Sequence, residues 1–181
     1  HVQTGVFPIG IDVDGFMAAR NSTLGTRTYD RMAASALFRS MIVGVDRLDY
    51  SKGLEERLLG YEQFLQDNPD QRGEVFLLQV TPISRDDVDS YQDIRARLDA
   101  LAGRINGAFA DMDWAPIRYL NRTYRRDQLA GIYRAARVGL VTPLRDGMNL
   151  VAKEFVAAQN PDDPGVLILS RFAGAAEQMG E

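Results

Sequence analysis

Two short segments hold the side chains best suited to chemistry. The first is Arg47-Leu48-Asp49-Tyr50-Ser51-Lys52-Gly53, with a cation at either side of a polar turn. A guanidinium grips two oxygens at once, whereas an ammonium acts as a compact point charge. Together they suit a diphosphate, and Gly53 lets backbone approach it closely. A competing reading makes both cations surface charges paired with Asp46, Asp49 or Glu55, and residue types alone favour neither. The Gly-x-x-x-x-Gly-Lys spacing of a Walker A loop is absent.

The second segment runs from Asp146-Gly147-Met148-Asn149 into Leu150-Val151-Ala152-Lys153-Glu154. Asp146-Gly147 is a turn signal, and Asn149 is placed to cap the helix that follows. Amides at that helix start would then face the same cleft as Arg47 and Lys52. One turn on, the Glu154 carboxylate can accept hydrogen bonds from a diol such as a ribose. The plainer alternative is a solvated glutamate or a partner for Lys153.

A third candidate, Arg85 in Pro82-Ile83-Ser84-Arg85-Asp86-Asp87, follows an apolar run and could hold an anion or simply pair with Asp86 or Asp87. Three Asp-x-Asp triplets, at Asp12, Asp87 and Asp111, are read as chance, because none follows an expected strand into the cleft.

The elements that must position these residues alternate in character. Continuous apolar runs at Met41–Val45, Val75–Thr81, Ile117–Leu120, Val138–Thr142 and Val166–Leu169 suit strands buried on both faces of a parallel sheet. Between them, Leu54, Leu58, Tyr61 and Leu65 form a helical stripe that Asn68-Pro69 ends. A longer stripe runs from Val88 to Ile105, opened by Ser84 with Asp87 as a variant capping box. Short helices are expected around Leu129–Tyr133 and Leu150–Ala157, and a last one from near Phe172. The alternation predicts an α/β fold with a doubly wound, mostly parallel, Rossmann-like sheet over residues 41–181. Residues 1–40 are expected to be an interdomain segment, with Val6–Ile11 extended, followed by a linker and a peripheral helix over Tyr29–Phe38. The opening and closing segments read as those of an incomplete piece.

Composition removes several classes of function. A formal charge of −4 argues against non-specific nucleic-acid binding. With no cysteine, and His1 as the sole histidine, disulfides, thiolate or multi-histidine metal sites and histidine-based triads are excluded within this sequence. No metal and no cofactor is implied. No apolar run is long enough to span a membrane, and the first residues do not read as a signal peptide, so a cytoplasmic location is expected. Of 21 basic residues only Lys52 and Lys153 are lysines, and both fall inside the segments singled out above.

Those segments, in this order, resemble the trehalose-6-phosphate synthases. The similarity extends through Tyr91–Arg95, Gly103–Gly107 and the stretch from Pro164 to Ala176, and covers nearly the whole chain. The resemblance implies the C-terminal half of a two-domain GT-B glycosyltransferase. Such enzymes are metal-independent and move glucose from UDP-glucose to glucose 6-phosphate with retention. By motif position, Arg47 and Lys52 would hold the donor diphosphate and stabilise the leaving group. Asp146, with Gly147, Met148 and Asn149, would contact the donor glucose, making Arg47, Lys52 and Asp146 the catalytic set. Glu154 would bind the ribose, the backbone of Leu150, Val151, Ala152 and Lys153 would line the nucleotide pocket, and Tyr124 matches a position near the uracil. Arg85 matches one that reaches the acceptor phosphate.

The family's N-terminal acceptor domain is missing from the sequence. The piece alone is therefore expected to bind UDP or UDP-glucose weakly and to transfer nothing. The implied partners are the two substrates and that domain, and a homo-oligomer is compatible with the sequence. Two other readings stand beside this one: a sister transferase with another acceptor (a glucosylglycerol-phosphate synthase or a pseudo-glycosyltransferase), and a non-catalytic regulatory module.

Overall fold

The computed structural model describes residues 2–5, 7–82 and 89–179. Five apolar runs form the strands β1 (Ser40–Val45), β2 (Val75–Val80), β3 (Ile117–Leu120), β4 (Val138–Val141) and β5 (Val166–Leu169). They pair in parallel in the order β3-β2-β1-β4-β5. The order reverses between β1 and β4, as the doubly wound reading requires, and a crevice opens there beyond the strand ends.

The helices are α1 (Val13–Asn21), α2 (Thr23–Ala36), α3 (Leu54–Asp67), α4 (Asp89–Phe109), α5 (Arg126–Ala135), α6 (Leu150–Ala158) and α7 (Ala176–Met179). One core joins β1 and β2 to α1, α5 and α6 through Phe16, Phe76, Tyr133 and Phe155. The second joins α3 and α4 to the opposite side through Leu58, Leu65, Leu98, Ile105 and Trp114. Burying each of these large side chains contributes about 1.5–3 kcal/mol. The Trp114 indole also donates to the Val75 carbonyl (2.7 Å), so no polar group is lost.

Three expectations need correction. Residues 12–40 hold two helices instead of a linker and one helix. Asp12 caps α1 by accepting from the Gly15 amide (2.9 Å) and Ser22 caps α2 by accepting from that of Gly25 (3.0 Å). Phe16 of α1 is 1% exposed and stacks on Tyr133, so this segment is built into the core. The last helix begins at Ala176, not Phe172, because residues 172–175 bond back to the loop before α6. β5 is half-buried on one face and open on the other: Val166 and Ile168 are exposed, since no described strand flanks its outer edge and no described helix packs on that side. The Ser84–Asp87 capping box and Arg85 lie outside the described residues, and Val6–Ile11 shows no strand where it is described.

α2 and α5 pack at unusually close range. A Cβ at Gly131 would lie 2.4 Å from the Gly25 carbonyl oxygen and 2.9 Å from the Thr28 Cβ. Backbone on both sides cannot yield cheaply. Gly131→Ala is therefore expected to destabilise the fold by about 1–3 kcal/mol, read as a lower urea midpoint with unchanged slope. An unshifted midpoint would show that the two helices slide apart freely.

Candidate functional site

The cation-bearing turn follows β1. Asp49 accepts from the Ser51 amide (2.8 Å) and hydroxyl (2.7 Å), and these bonds hold its carboxyl below the usual aspartate pKa against a small cost of burial. The turn ends at Gly53, whose φ of 62° is left-handed. A side chain there would also put its Cβ 2.8 Å from the Thr142 carbonyl oxygen, so the position demands glycine on two counts. α3 then leads away, its Leu54, Leu58, Tyr61 and Leu65 buried.

The second loop follows β4 and is joined to the first. The amides of Leu144 (2.8 Å) and Arg145 (3.1 Å) both donate to the Ser51 carbonyl. Asn149 caps α6 by accepting from the Ala152 amide (3.2 Å), as its position before the helix predicted. It does so with φ at 71°, a conformation few residues other than glycine and asparagine tolerate. Behind the loop, the Gly174 amide donates to the Asp146 carbonyl and that of Ala175 to Met148. A Cβ at Gly174 would sit 2.0 Å from the Gly147 carbonyl oxygen. Gly174 is thus a site-shaping residue that sequence reasoning did not single out; its signal was the run of small residues from Ala173 to Ala176.

The Lys52 ammonium meets the Asp146 carboxylate at 2.6 Å, joining residues far apart in sequence. Asp146 also accepts from the Met148 amide (3.3 Å) and the Asn149 side chain (3.1 Å). Burial pushes the Asp146 pKa up, but Lys52, the Met148 amide and Asn149 outweigh it and hold the net value below normal. Lys52 therefore pairs with none of Asp46, Asp49 or Glu55. Asp46 instead pairs with Arg57, a fully buried residue that also donates to Gln79 (2.9 Å) and Thr142 (2.9 Å). Arg57 was legible as one of two charges, with Glu62, on the buried face of α3, and it was passed over. Arg47 makes no ion pair among the described residues and points its exposed side chain at the cleft.

One cavity of about 420 Å³ collects Arg47, Lys52, Asp146, Met148, Asn149, Leu150, Val151 and Glu154, with Asp46 and Pro82. It lies at the strand-order reversal and opens on the start of α6, whose first amides have no intrahelical acceptor. Glu154 stands partly buried at its wall. Burial raises its pKa above the normal 4.5, while Arg126 and Tyr133 pull the other way. The Tyr133 hydroxyl beneath it is buried without a hydrogen bond of good geometry.

Not every expected residue reaches this cavity. Gly147 borders it only through its neighbours, and Ala152 is fully buried behind it. Lys153 turns away and donates to the Ile9 carbonyl (2.9 Å) and to Gln178, so it does not serve Glu154. Tyr124 lines a separate, larger cavity between α2, β3 and α5.

The profile of glycosyltransferase family 20 matches residues 1–181. The chain belongs to that family. Among the relatives of this family 20 chain, the trehalose-6-phosphate synthase of Sinorhizobium fredii is 53% identical over 175 residues, and that of Sodalis glossinidius 50% over 181. These alignments take in 97% and 98% of the chain but 38% of each relative. The family 20 chain thus spans well under half the length of the curated relatives it matches. The E. coli trehalose-6-phosphate structure bound with UDP-2-fluoro glucose superposes with a TM-score of 0.93 at 48% identity, covering 98% of the chain and 39% of that structure. The UDP-forming synthase of Burkholderia xenovorans in complex with glucose-6-phosphate gives 0.90 at 50% identity, covering 94% and 37%. Among the described residues, no helix is long and apolar enough to cross a membrane.

Proposed function

We propose that this chain is the donor-binding part of a retaining glucosyltransferase that takes UDP-glucose and glucose 6-phosphate and gives trehalose 6-phosphate and UDP. One observation carries the reading. A guanidinium and an ammonium face the amide-rich start of α6 across a single crevice, with a carboxylate one turn into the helix. Arg47 and Lys52 neutralise the donor diphosphate, and Glu154 accepts from the ribose hydroxyls. Asp146, held rigid by three hydrogen bonds, positions the glucose. As the bond from the anomeric carbon to the UDP oxygen breaks, a bond to the acceptor hydroxyl forms on the same face. The acceptor proton passes to the departing phosphate. Two cations aimed at the charge developing there, Lys52 already held by Asp146, are the main source of rate.

On this reading residues 41–181 form the donor unit and residues 1–40 lead into it, while Arg85 serves the acceptor phosphate. The acceptor domain lies outside this sequence, and the enzyme works in the cytoplasm. The decisive experiment gives the full-length protein UDP-glucose with glucose 6-phosphate and follows UDP release and product. Trehalose 6-phosphate is expected; turnover only with another acceptor, such as glycerol 3-phosphate, would reassign the enzyme to a sister transferase. Absence of UDP-glucose binding would end the proposal.

Glu154 adds a pH signature. Only its ionised form accepts both ribose hydroxyls, and its pKa is raised. UDP affinity should therefore fall on acidification from a higher pH than an ordinary glutamate would produce. Glu154→Gln should bind about tenfold more weakly at neutral pH and lack that part of the fall. Calorimetry on both proteins separates this from titration of UDP itself; identical pH profiles would remove Glu154 from the ribose.

A further inference from the structure

The largest of the cavities described is not the donor crevice. It measures about 980 Å³ and lies between α2, the outer strand β3 and α5. Four guanidinium side chains line it: Arg27 and Arg31, one turn apart on α2, and Arg118 and Arg122, on and just after β3. No carboxylate is among its lining residues. This is notable in a chain where acidic residues outnumber basic ones, 25 to 21.

The four cations differ in state. Arg118 is fixed: it stacks over the Phe76 ring at 3.9 Å and donates to the Ser35 hydroxyl (2.6 Å) and carbonyl (3.1 Å). Burial, and the like charge of Arg39, push its pKa down, so its surroundings are short of negative charge. Arg27, Arg31 and Arg122 are exposed at the rim and make no ion pair among the described residues. Three exposed guanidinium groups thus share one opening with no acid among the residues that line it. Tyr124 and Gln128 add polar groups to the wall, while the Thr28 hydroxyl already donates to the Leu24 carbonyl (2.7 Å). The volume falls in the range of small-molecule sites, and a concave opening, unlike a flat stripe, suits a compact anion better than a polymer.

We propose that this cavity is a second anion site, taking a small molecule that carries two phosphate groups, separate from the Arg47–Lys52 crevice. The geometry also links the two. α2 leads through a three-residue turn into β1, and Arg47 stands two residues beyond the end of β1, so an anion pinning α2 against β3 bears on the strand that leads to the donor cation. Such a molecule would act as an effector of the donor site.

The test uses the full-length protein with its donor crevice first saturated with UDP. Inorganic pyrophosphate and fructose 1,6-bisphosphate are then titrated in separately by calorimetry, distinguishing an inorganic from a sugar-derived source. At least one should bind the UDP-loaded protein. The double variant Arg27→Gln, Arg31→Gln should weaken that binding about tenfold or more while leaving UDP affinity within about twofold. Both substitutions are on an exposed helix face, so the fold should tolerate them, which circular dichroism checks. No binding of either probe once UDP is present, or equal binding by wild type and the double variant, overturns the proposal. The variant comparison remains readable even if UDP itself fails to bind, so this idea and the donor-site reading fail separately.

Discussion

Lys52→Ala in the full-length protein is expected to lower kcat for UDP release by about a hundred- to a thousandfold, the usual cost of removing one fixed group that stabilises transition-state charge. The physical reason lies in how Lys52 is held. Its ammonium sits 2.6 Å from Asp146, and both side chains are 15% exposed, so the charge is already desolvated and aimed before any ligand arrives. Removing it also frees Asp146, the residue proposed to position the glucose. The two loops should survive, because the Leu144 and Arg145 amides still bond to the Ser51 carbonyl. The loss should therefore appear in kcat far more than in thermal stability. Lys52→Arg should not rescue activity, since a planar fork cannot take the place of a compact ammonium in so short a contact. Steady-state kinetics decide: a kcat within about threefold of wild type would take Lys52 out of the chemistry.

The second large effect concerns stability. Arg57→Ala is expected to cost about 3–5 kcal/mol, because it strands a buried carboxylate at Asp46 without its partner. Neither side chain is more than 3% exposed. Gly44 shows how closely the surroundings are fitted: a Cβ there would lie 2.7 Å from Arg57 Nη1 and 2.5 Å from Gln79 Oε1. The double variant Asp46→Asn, Arg57→Met should recover much of the loss, since a neutral pair carries no buried charge. Urea unfolding of both proteins checks this. If Arg57→Ala unfolds within about 1 kcal/mol of wild type, water must reach Asp46 and the buried pair is not what ties β1 to α3.

The parallel sheet was readable because its strands are continuous apolar runs, β2 above all, with all six residues buried. Both site loops were readable because Gly53 and Asn149 are residue types that a left-handed turn and a helix cap require. What escaped shares one physical character: it depends on contacts distant in sequence. Lys52 finds Asp146 instead of a neighbouring acid, and Asp46 finds Arg57 through the core. α1 was missed because its single core residue, Phe16, gives no periodic stripe and shows its role only against Tyr133. Tyr124, matched by motif position to a place near the uracil, lines the cavity between α2, β3 and α5, a neighbourhood that no local pattern encodes.

The bonds from the Leu144 and Arg145 amides to the Ser51 carbonyl, with the Lys52–Asp146 pair beside them, have a mechanical consequence. Two loops sewn together at three points resist closing on each other like jaws, so Lys52 does not tighten by local rearrangement when a nucleotide enters, and only the exposed Arg47 side chain is left to swing. A larger gripping motion must bring some other body toward this one, with the stitched pair moving as a fixed anvil. Mutations along the seam should therefore blunt the catalytic step while leaving the speed of nucleotide entry almost untouched.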